Sequence, residues 1–298
     1  MHTALDCVPC FARQALGAAR HVTNDPRIHE RILRDTLHET AKMDFAQGPP
    51  ALGQIINRLL RKMTGVEDPY RAVKDDYNKM ALAMLPELER RVLKSPDPLR
   101  TALRLAIAGN AIDLGANSNL TEAEARQSIA CAESESFHGD LDDFRHAVTE
   151  AQRILYLADN AGEIVFDRLL IQQLPTDRVT VAVRGSPVLN DATRRDAEVA
   201  GLCEQVEVID NGSDAPGTIL EDCNDSFRRR FEEANLIISK GQGNFETLSE
   251  AKNNIYFLFK AKCHVIANLV GVKVGVHVAI RRKQQRSRKG DKRCMVTS

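Results

Sequence analysis

Three stretches of this chain place carboxylates, amides, glycines and a lysine where phosphate chemistry could use them. They are Asp159-Asn160-Ala161-Gly162-Glu163, Arg184-Gly185-Ser186-Pro187-Val188-Leu189-Asn190-Asp191 and Lys240-Gly241-Gln242-Gly243-Asn244-Phe245-Glu246. Asp159, Asn160 and Asp191 offer hard oxygen donors, which suit Mg²⁺ or Mn²⁺ better than a thiolate-seeking metal. Gly162, Gly241 and Gly243 let backbone N–H groups approach an anion, and Lys240 offers a point charge for a phosphate oxygen. Singly, an Asp-Asn after a strand reads as a turn or a helix cap. Three such stretches at alternate or adjacent strand ends point to an anion or phosphate site.

The surrounding elements explain why these stretches could meet. Short β-rich runs precede them or lie between them: Ile154–Leu157, Val179–Val183, Val206–Ile209 and Leu236–Ile238. Each is followed by turn residues and a helix-like stretch, the pattern of parallel βαβ units. In such a sheet, ligands collect at the carboxyl ends of the strands. A later run, Val272–Val278, alternates like an edge strand. Residues 1–150 instead carry helical periodicity, as in Ile28–Leu33 and Leu52–Leu60. Asp68-Pro69 and Asp97-Pro98 mark helix starts, and Thr121–Glu124 has capping-box spacing. The expected architecture is α/β, a three-layer α/β/α core with a mostly parallel sheet. It comprises a helical region over 1–150, a metal- and phosphate-binding core over 151–280 and a disordered basic tail over 281–298.

The three blocks, in this order and spacing, resemble the family first catalogued as domain of unknown function 89, now described as metal-dependent damage-control phosphatases. Asp159–Glu163, Arg184–Asp191 and Lys240–Leu248 carry the resemblance most specifically. Cys7-Val8-Pro9-Cys10-Phe11 and Gly109-Asn110-Ala111-Ile112-Asp113 resemble its prokaryotic-type branch. The likeness spans roughly residues 4–280. It implies an α/β/α core and hydrolysis of phosphate monoesters, often sugar phosphates or damaged phosphometabolites, with Mn²⁺, Co²⁺, Ni²⁺ or Mg²⁺. Carried over by position, Asp159, Asn160 and Asp191 match its metal-binding residues and Lys240 a phosphate-contacting lysine. Asp159, Asp191 and Lys240 are thus the expected catalytic residues. Glu163, Asn190, Arg184 and Gly241 are expected to line the substrate pocket, with Asn110 and Asp113 reaching it from the helical half. The attacking group is either a metal-activated water or a carboxylate.

Composition bounds the alternatives. The chain has 298 residues, and its 41 Lys and Arg balance 41 Asp and Glu. That excludes a globally basic nucleic-acid protein and a globally acidic disordered one. The balance hides an asymmetry: eight basic residues against Asp291 alone lie between Arg281 and Ser298, a local +7 on a body of −7. This stretch lacks aromatic residues, so base stacking has no support there and nucleic acid is not the expected partner. The sequence has no apolar run of membrane-spanning length and no export signal, and its seven scattered cysteines read as reduced thiols in a cytoplasmic protein. Cys7 and Cys10 form one CxxC, half of a tetrahedral site; a second metal there would need partners such as Cys131, Cys263 or His264. Two other function classes remain open at this level. One is an S-adenosylmethionine-dependent methyltransferase on a Rossmann-like sheet, weakened by the lack of a GxGxxG turn after the first strand. The other is a non-catalytic protein that binds metal or phosphometabolites. The substrate and the oligomeric state are not encoded in any motif.

Overall fold

The computed structural model describes residues 1–111 and 122–281. Among these, a sheet of seven strands runs in the order β1-β7-β6-β5-β2-β3-β4. The strands are β1 (Phe137–Gly139), β2 (Ile154–Leu157), β3 (Val179–Val183), β4 (Glu207–Asp210), β5 (Leu236–Lys240), β6 (Ile255–Lys260) and β7 (His277–Arg281). The β6-β5-β2-β3-β4 pairings are all parallel. Strand β7 runs antiparallel to β6 and parallel to β1. The expected α/β class, with a helical region ahead of a mostly parallel sheet, holds.

The strands alternate faces, and that alternation sorts the core into two layers. Ile154, Tyr156, Val181, Ile238 and Leu258 pack on one face with residues of α4 (Arg71–Lys94), α5 (Pro98–Ala108), α7 (Leu141–Glu150) and α8 (Glu163–Ile171). Leu155, Leu157, Ile237, Phe257 and Phe259 pack on the other with α10 (Asp225–Glu233), α11 (Gln242–Leu248) and α12 (His264–Val270). Each large side chain buried this way contributes about 1.5–3 kcal/mol of transfer free energy. A third cluster, around Phe11, Ile32, Leu52, Ile56 and Leu60, holds α1 (Cys7–Val22), α2 (Pro26–Lys42) and α3 (Pro49–Thr64) together. The remaining helices are α6 (Glu122–Ala130) and α9 (Arg194–Val199).

Several local expectations shift. The Val272–Val278 run is not an edge strand. The chain turns at Gly275, whose φ is +93°, and β7 begins at His277 with neighbours on both sides. Asp97 caps α5 by accepting from Arg100 N at 3.1 Å, as its Asp-Pro signal predicts. Asp68 does not cap a helix, because α4 starts later, at Arg71; its carboxylate lies 2.8 Å from the buried Lys74 ammonium instead. Thr121 and the basic stretch from 282 onward lie outside the described residues. Arg281, counted with that stretch in the sequence, ends β7 and lies 3.2 Å from Asp143.

Helix α3 is tied to the loops at the carboxyl edge of the sheet. Gln54 Nε2 donates to Asp214 Oδ1 and Asp222 Oδ2, both at 2.7 Å, and Arg58 Nη2 donates to Asp214 Oδ1 at 2.6 Å. Arg61 donates to Asp214 and to the backbone carbonyl of Pro187. Burial alone would raise the Asp214 carboxyl, but the bonds from Arg58, Gln54 and Arg61 outweigh it and bring it down to about 2. A carboxyl lowered on folding adds stability above its unfolded value near 3.9, and this is lost as pH falls through the folded value. Thermal melts between pH 6 and 2.5 should therefore show a steeper loss below pH 4 for the wild type than for Asp214→Asn. Identical slopes would remove Asp214 as a source of acid sensitivity.

Candidate active site

The sheet order reverses direction between β2 and β5. From β2 the chain winds outward through β3 and β4, and β5 then starts the other side with β6. Ligands of open α/β sheets bind at this switch point, outside the carboxyl ends of the strands. Asp159 lies two residues after β2, and Gly241 directly follows β5. Gly241 has φ +79°, and a Cβ placed on it would sit 2.0 Å from Asp159 Oδ2. Only a glycine lets these two strand ends approach this closely.

The second block folds onto the first. Asn160 and Asp191 form an isolated antiparallel bridge. Ala161 N donates to Asn190 O at 2.8 Å, and Ala192 N donates to Asp159 O at 2.7 Å. Leu189, just before Asn190, has a φ of +45°, a conformation that costs a non-glycine residue of order 1–3 kcal/mol. The strained turn brings the buried Asp191 carboxylate alongside Asp159. Arg184 binds both: Nε donates to Asp191 Oδ2 at 2.6 Å, and Nη2 lies 3.7 Å from Asp159 Oδ1. Asn244 steadies Arg184 from α11, accepting from its Nη2 at 3.3 Å, and also accepts from Thr218 Oγ1 at 2.8 Å.

Two amides converge on the carboxylates. Asn110 Nδ2 donates to Asp159 Oδ2 at 3.0 Å and to Glu163 Oε2 at 2.6 Å. Asn160 Nδ2 donates to the same two oxygens at 2.8 and 3.0 Å. Asn110 Oδ1 is buried with no hydrogen-bond partner among the described residues. Asp113 lies outside the described residues.

Lys240 departs from the expected open point charge. It is fully buried beneath the site. Its ammonium donates to Glu163 Oε1 at 2.6 Å, Asp167 Oδ1 at 2.5 Å and Ala106 O at 3.0 Å, which uses all three of its protons. Burial works against its charge, but Asp167 and Glu163 outweigh burial and hold it above the usual lysine range. Asp167, four residues after Glu163 on α8, also accepts from Tyr156 Oη at 2.8 Å. Burial and the Glu163 charge push its carboxyl up to about 6, against the pull of Lys240.

The electrostatic imbalance is concentrated on Asp159. Burial raises its carboxyl well above the usual range, and the charges of Glu163 and Asp191 raise it further. Lys262, in the loop after β6, and Arg184 oppose that rise. Lys262 carries no motif that marks it in advance, and Asn244 and Asp167 are not among the expected site residues. The Glu163–Asp167 spacing does mark two acids on one helical face.

The CxxC expectation receives little from the fold. Cys7 is half-buried and Cys10 exposed at the start of α1. Burial raises the Cys7 thiol, with further increments from Glu246, Cys263 and Cys10, so it is a poorer thiolate donor than a free cysteine. Among the described residues, no three His, Cys, Asp or Glu side chains group as a metal site. A cavity of about 530 Å³ opens at the opposite, amino-terminal edge of β2 and β3, beside Arg153, Arg178, Glu207 and Arg230. It is remote from these residues.

Residues 3–278 match the family described as "Damage-control phosphatase ARMT1-like domain". The chain belongs to this damage-control phosphatase family. A damage-control phosphatase of Archaeoglobus fulgidus is 34% identical over 280 residues, covering 92% of this chain and 96% of that protein. One from Pyrococcus horikoshii is 33% identical over 290 residues, covering 95% and 99%. A Methanocaldococcus jannaschii protein is 38% identical over 293 residues, covering 93% and 94%. The crystal structure of a DUF89 family protein from Pyrococcus horikoshii superposes with a TM-score of 0.86 at 31% identity, covering 95% of this chain and all of that one. The damage-control phosphatase fold therefore extends over nearly the whole chain, helical region included.

Proposed function

We propose that this protein is a metal-dependent phosphatase that hydrolyses phosphate monoesters of small metabolites, either sugar phosphates or damaged phosphometabolites. The observation that carries this reading is the buried Asp159 carboxylate, crowded by Glu163 and Asp191 at the switch point of the sheet. Such a group calls for a cation. The donor set fits a hard divalent ion, since the carboxylates of Asp159 and Asp191 and the amide of Asn160 supply oxygen, and Asn110 Oδ1 beside them has no partner among the described residues. Asp159, Asn160 and Asp191 would hold Mn²⁺, Co²⁺, Ni²⁺ or Mg²⁺. When bound, the ion supplies Lewis-acid polarisation of a phosphoryl oxygen and offsets the negative charge that an acidic pocket presents to an anionic ester.

The chain's own residues do the rest. Arg184 holds the Asp191 carboxylate in place and lies close to Asp159. The Asn110 and Asn160 amides fix the Asp159 side chain. The backbone at Gly241, free of a side chain, lets the Asp159 carboxylate pack directly against the end of β5. Asn190 closes the wall opposite. Lys240 acts from below by holding Glu163 and Asp167. Lys262 supplies the cationic side chain on the substrate side, in keeping with its pull on Asp159. Asp113 is retained as a substrate contact on the family resemblance alone.

No helix among the described residues is long and apolar enough to cross a membrane. We place the protein in the cytoplasm, on the reading of its cysteines as reduced thiols. The test is hydrolysis of p-nitrophenyl phosphate and of a phosphometabolite panel, each with Mn²⁺, Co²⁺, Ni²⁺, Mg²⁺ or chelator. Turnover should require the metal and favour one class of ester. Phosphate binding without turnover under every metal would replace this reading with a binding protein.

A further inference from the structure

Helix α4 holds a buried amide that the proposed chemistry does not touch. Asn78 is fully buried, and its side chain spans two of the loops that build the site. Its Oδ1 accepts from Gly162 N at 2.7 Å, and its Nδ2 donates to Asp196 Oδ1 at 2.9 Å. Gly162 closes the Asp159–Asn160 turn with φ +76° and lies so near α4 that a Cβ there would meet Tyr77 Cβ at 3.0 Å. Asp196 sits in the first turn of α9, five residues beyond Asp191. It completes a capping box with Thr193, accepting from Thr193 N at 2.9 Å and from Thr193 Oγ1 at 2.6 Å. Arg71 Nη2 donates to its other oxygen at 2.7 Å, and Lys74 Nζ lies 3.9 Å away.

We propose that Asn78 is a positioning residue that sets the spacing between the Asp159–Asn160 turn and Asp191, and so tunes divalent-cation affinity. The inference rests on the metal-dependent reading above. An amide suits the place because it alone offers both an acceptor to Gly162 N and a donor to Asp196 in one planar group. The bond acts through backbone, on turns whose side chains would be the ligands. Outer partners of this kind are worth about 10–100-fold in metal affinity.

Titration of the purified full-length chain with Mn²⁺ by calorimetry tests this. Asp159→Ala is the control for the functional reading, and Asn78→Asp and the swap N78D/D196N are the probes. N78D faces one carboxylate with another. The swap restores the acceptor–donor pair with its polarity reversed. Expected are Mn²⁺ binding by the wild type that Asp159→Ala abolishes, a 10–100-fold loss in N78D, and a swap within about threefold of wild type. In turnover assays, N78D should raise the Mn²⁺ concentration for half-maximal rate, with KM for p-nitrophenyl phosphate unchanged at saturating Mn²⁺. Wild-type affinity in N78D, or a swap as weak as N78D, overturns the proposal while leaving the metal site intact. If wild-type binding does not depend on Asp159, the functional reading fails and the inference falls with it. Should N78D not fold, the swap alone decides: it must fold and bind Mn²⁺ within about threefold of wild type.

Discussion

Asp159→Ala is expected to abolish Mn²⁺-dependent hydrolysis of p-nitrophenyl phosphate, a loss of at least about 10³-fold in kcat/KM. It should do so without unfolding the protein. In the metal-free protein the Asp159 carboxylate is buried against Glu163 and Asp191, an arrangement that raises its proton affinity and opposes its charge. Removing it relieves that repulsion, and the cavity left by one small side chain offsets the gain. The metal-free melting temperature should therefore change little. Addition of Mn²⁺ should raise the melting temperature of the wild type and not that of the variant, since a ligand stabilises only the state that binds it. Asp159→Asn, nearly isosteric and neutral, should match Ala in activity. Wild-type turnover in either purified variant would remove Asp159 from the chemistry.

Gly241→Ala should be nearly as damaging for a different reason. The new Cβ would lie 2.0 Å from Asp159 Oδ2 and 2.1 Å from its Cγ. Asp159 cannot swing aside cheaply, because Asn110 and Asn160 bind its side chain and Ala192 binds its carbonyl. Added to this is the backbone, since φ +79° with ψ 159° lies in a region essentially confined to glycine and costs an L-residue of order 1–3 kcal/mol. Overpacking a filled site costs about 1–3 kcal/mol more. A total near 2–6 kcal/mol would lower the melting temperature by roughly 3–10 °C at this chain length. The methyl also displaces the Asp159 carboxylate from its place, so activity should fall at least about 100-fold at temperatures where the variant is folded. Gly65→Ala is a control for a positive φ without a clash. It has φ +70° but open space around its Cβ position, so only the backbone cost applies and activity should stay near wild type. Equal behaviour of the two variants would mean that the Gly241–Asp159 approach has no functional weight.

The central strands were legible because they are buried on both faces. Ile154–Leu157 and Val179–Val183 read as short continuous β-rich runs, and the structure bounds β2 and β3 at those same residues. Ile255–Lys260 is as apolar, but a run of that length does not distinguish a strand from a buried helix turn, and no phosphate-like motif follows it. The three residues of β1 are too few for any period. Alternation in Val272–Val278 is real, yet alternation says nothing about which neighbours a strand acquires. Gly275 ends the run early, and β1 covers what reads as an edge.

At the site the division is similar. Residue type and position after a strand were enough to single out Asp159, Asn160, Asp191 and Gly241, because a strand end in a parallel sheet has one place to go. The sequence by itself therefore determined the α/β class, the family and the chemical character of the three loops. Only the tertiary structure decided what each charge faces. Lys240 reads as a phosphate-contacting lysine, and the tertiary structure adds Glu163, Asp167 and the Ala106 carbonyl as acceptors of its three protons. Asn110 and Asn78 reach the site from helices far away in the chain, and Lys262 acts on it from the loop after β6. Such partners leave no periodic trace, since a hydrogen bond or a Coulombic contact depends on distances that packing sets after the elements have formed.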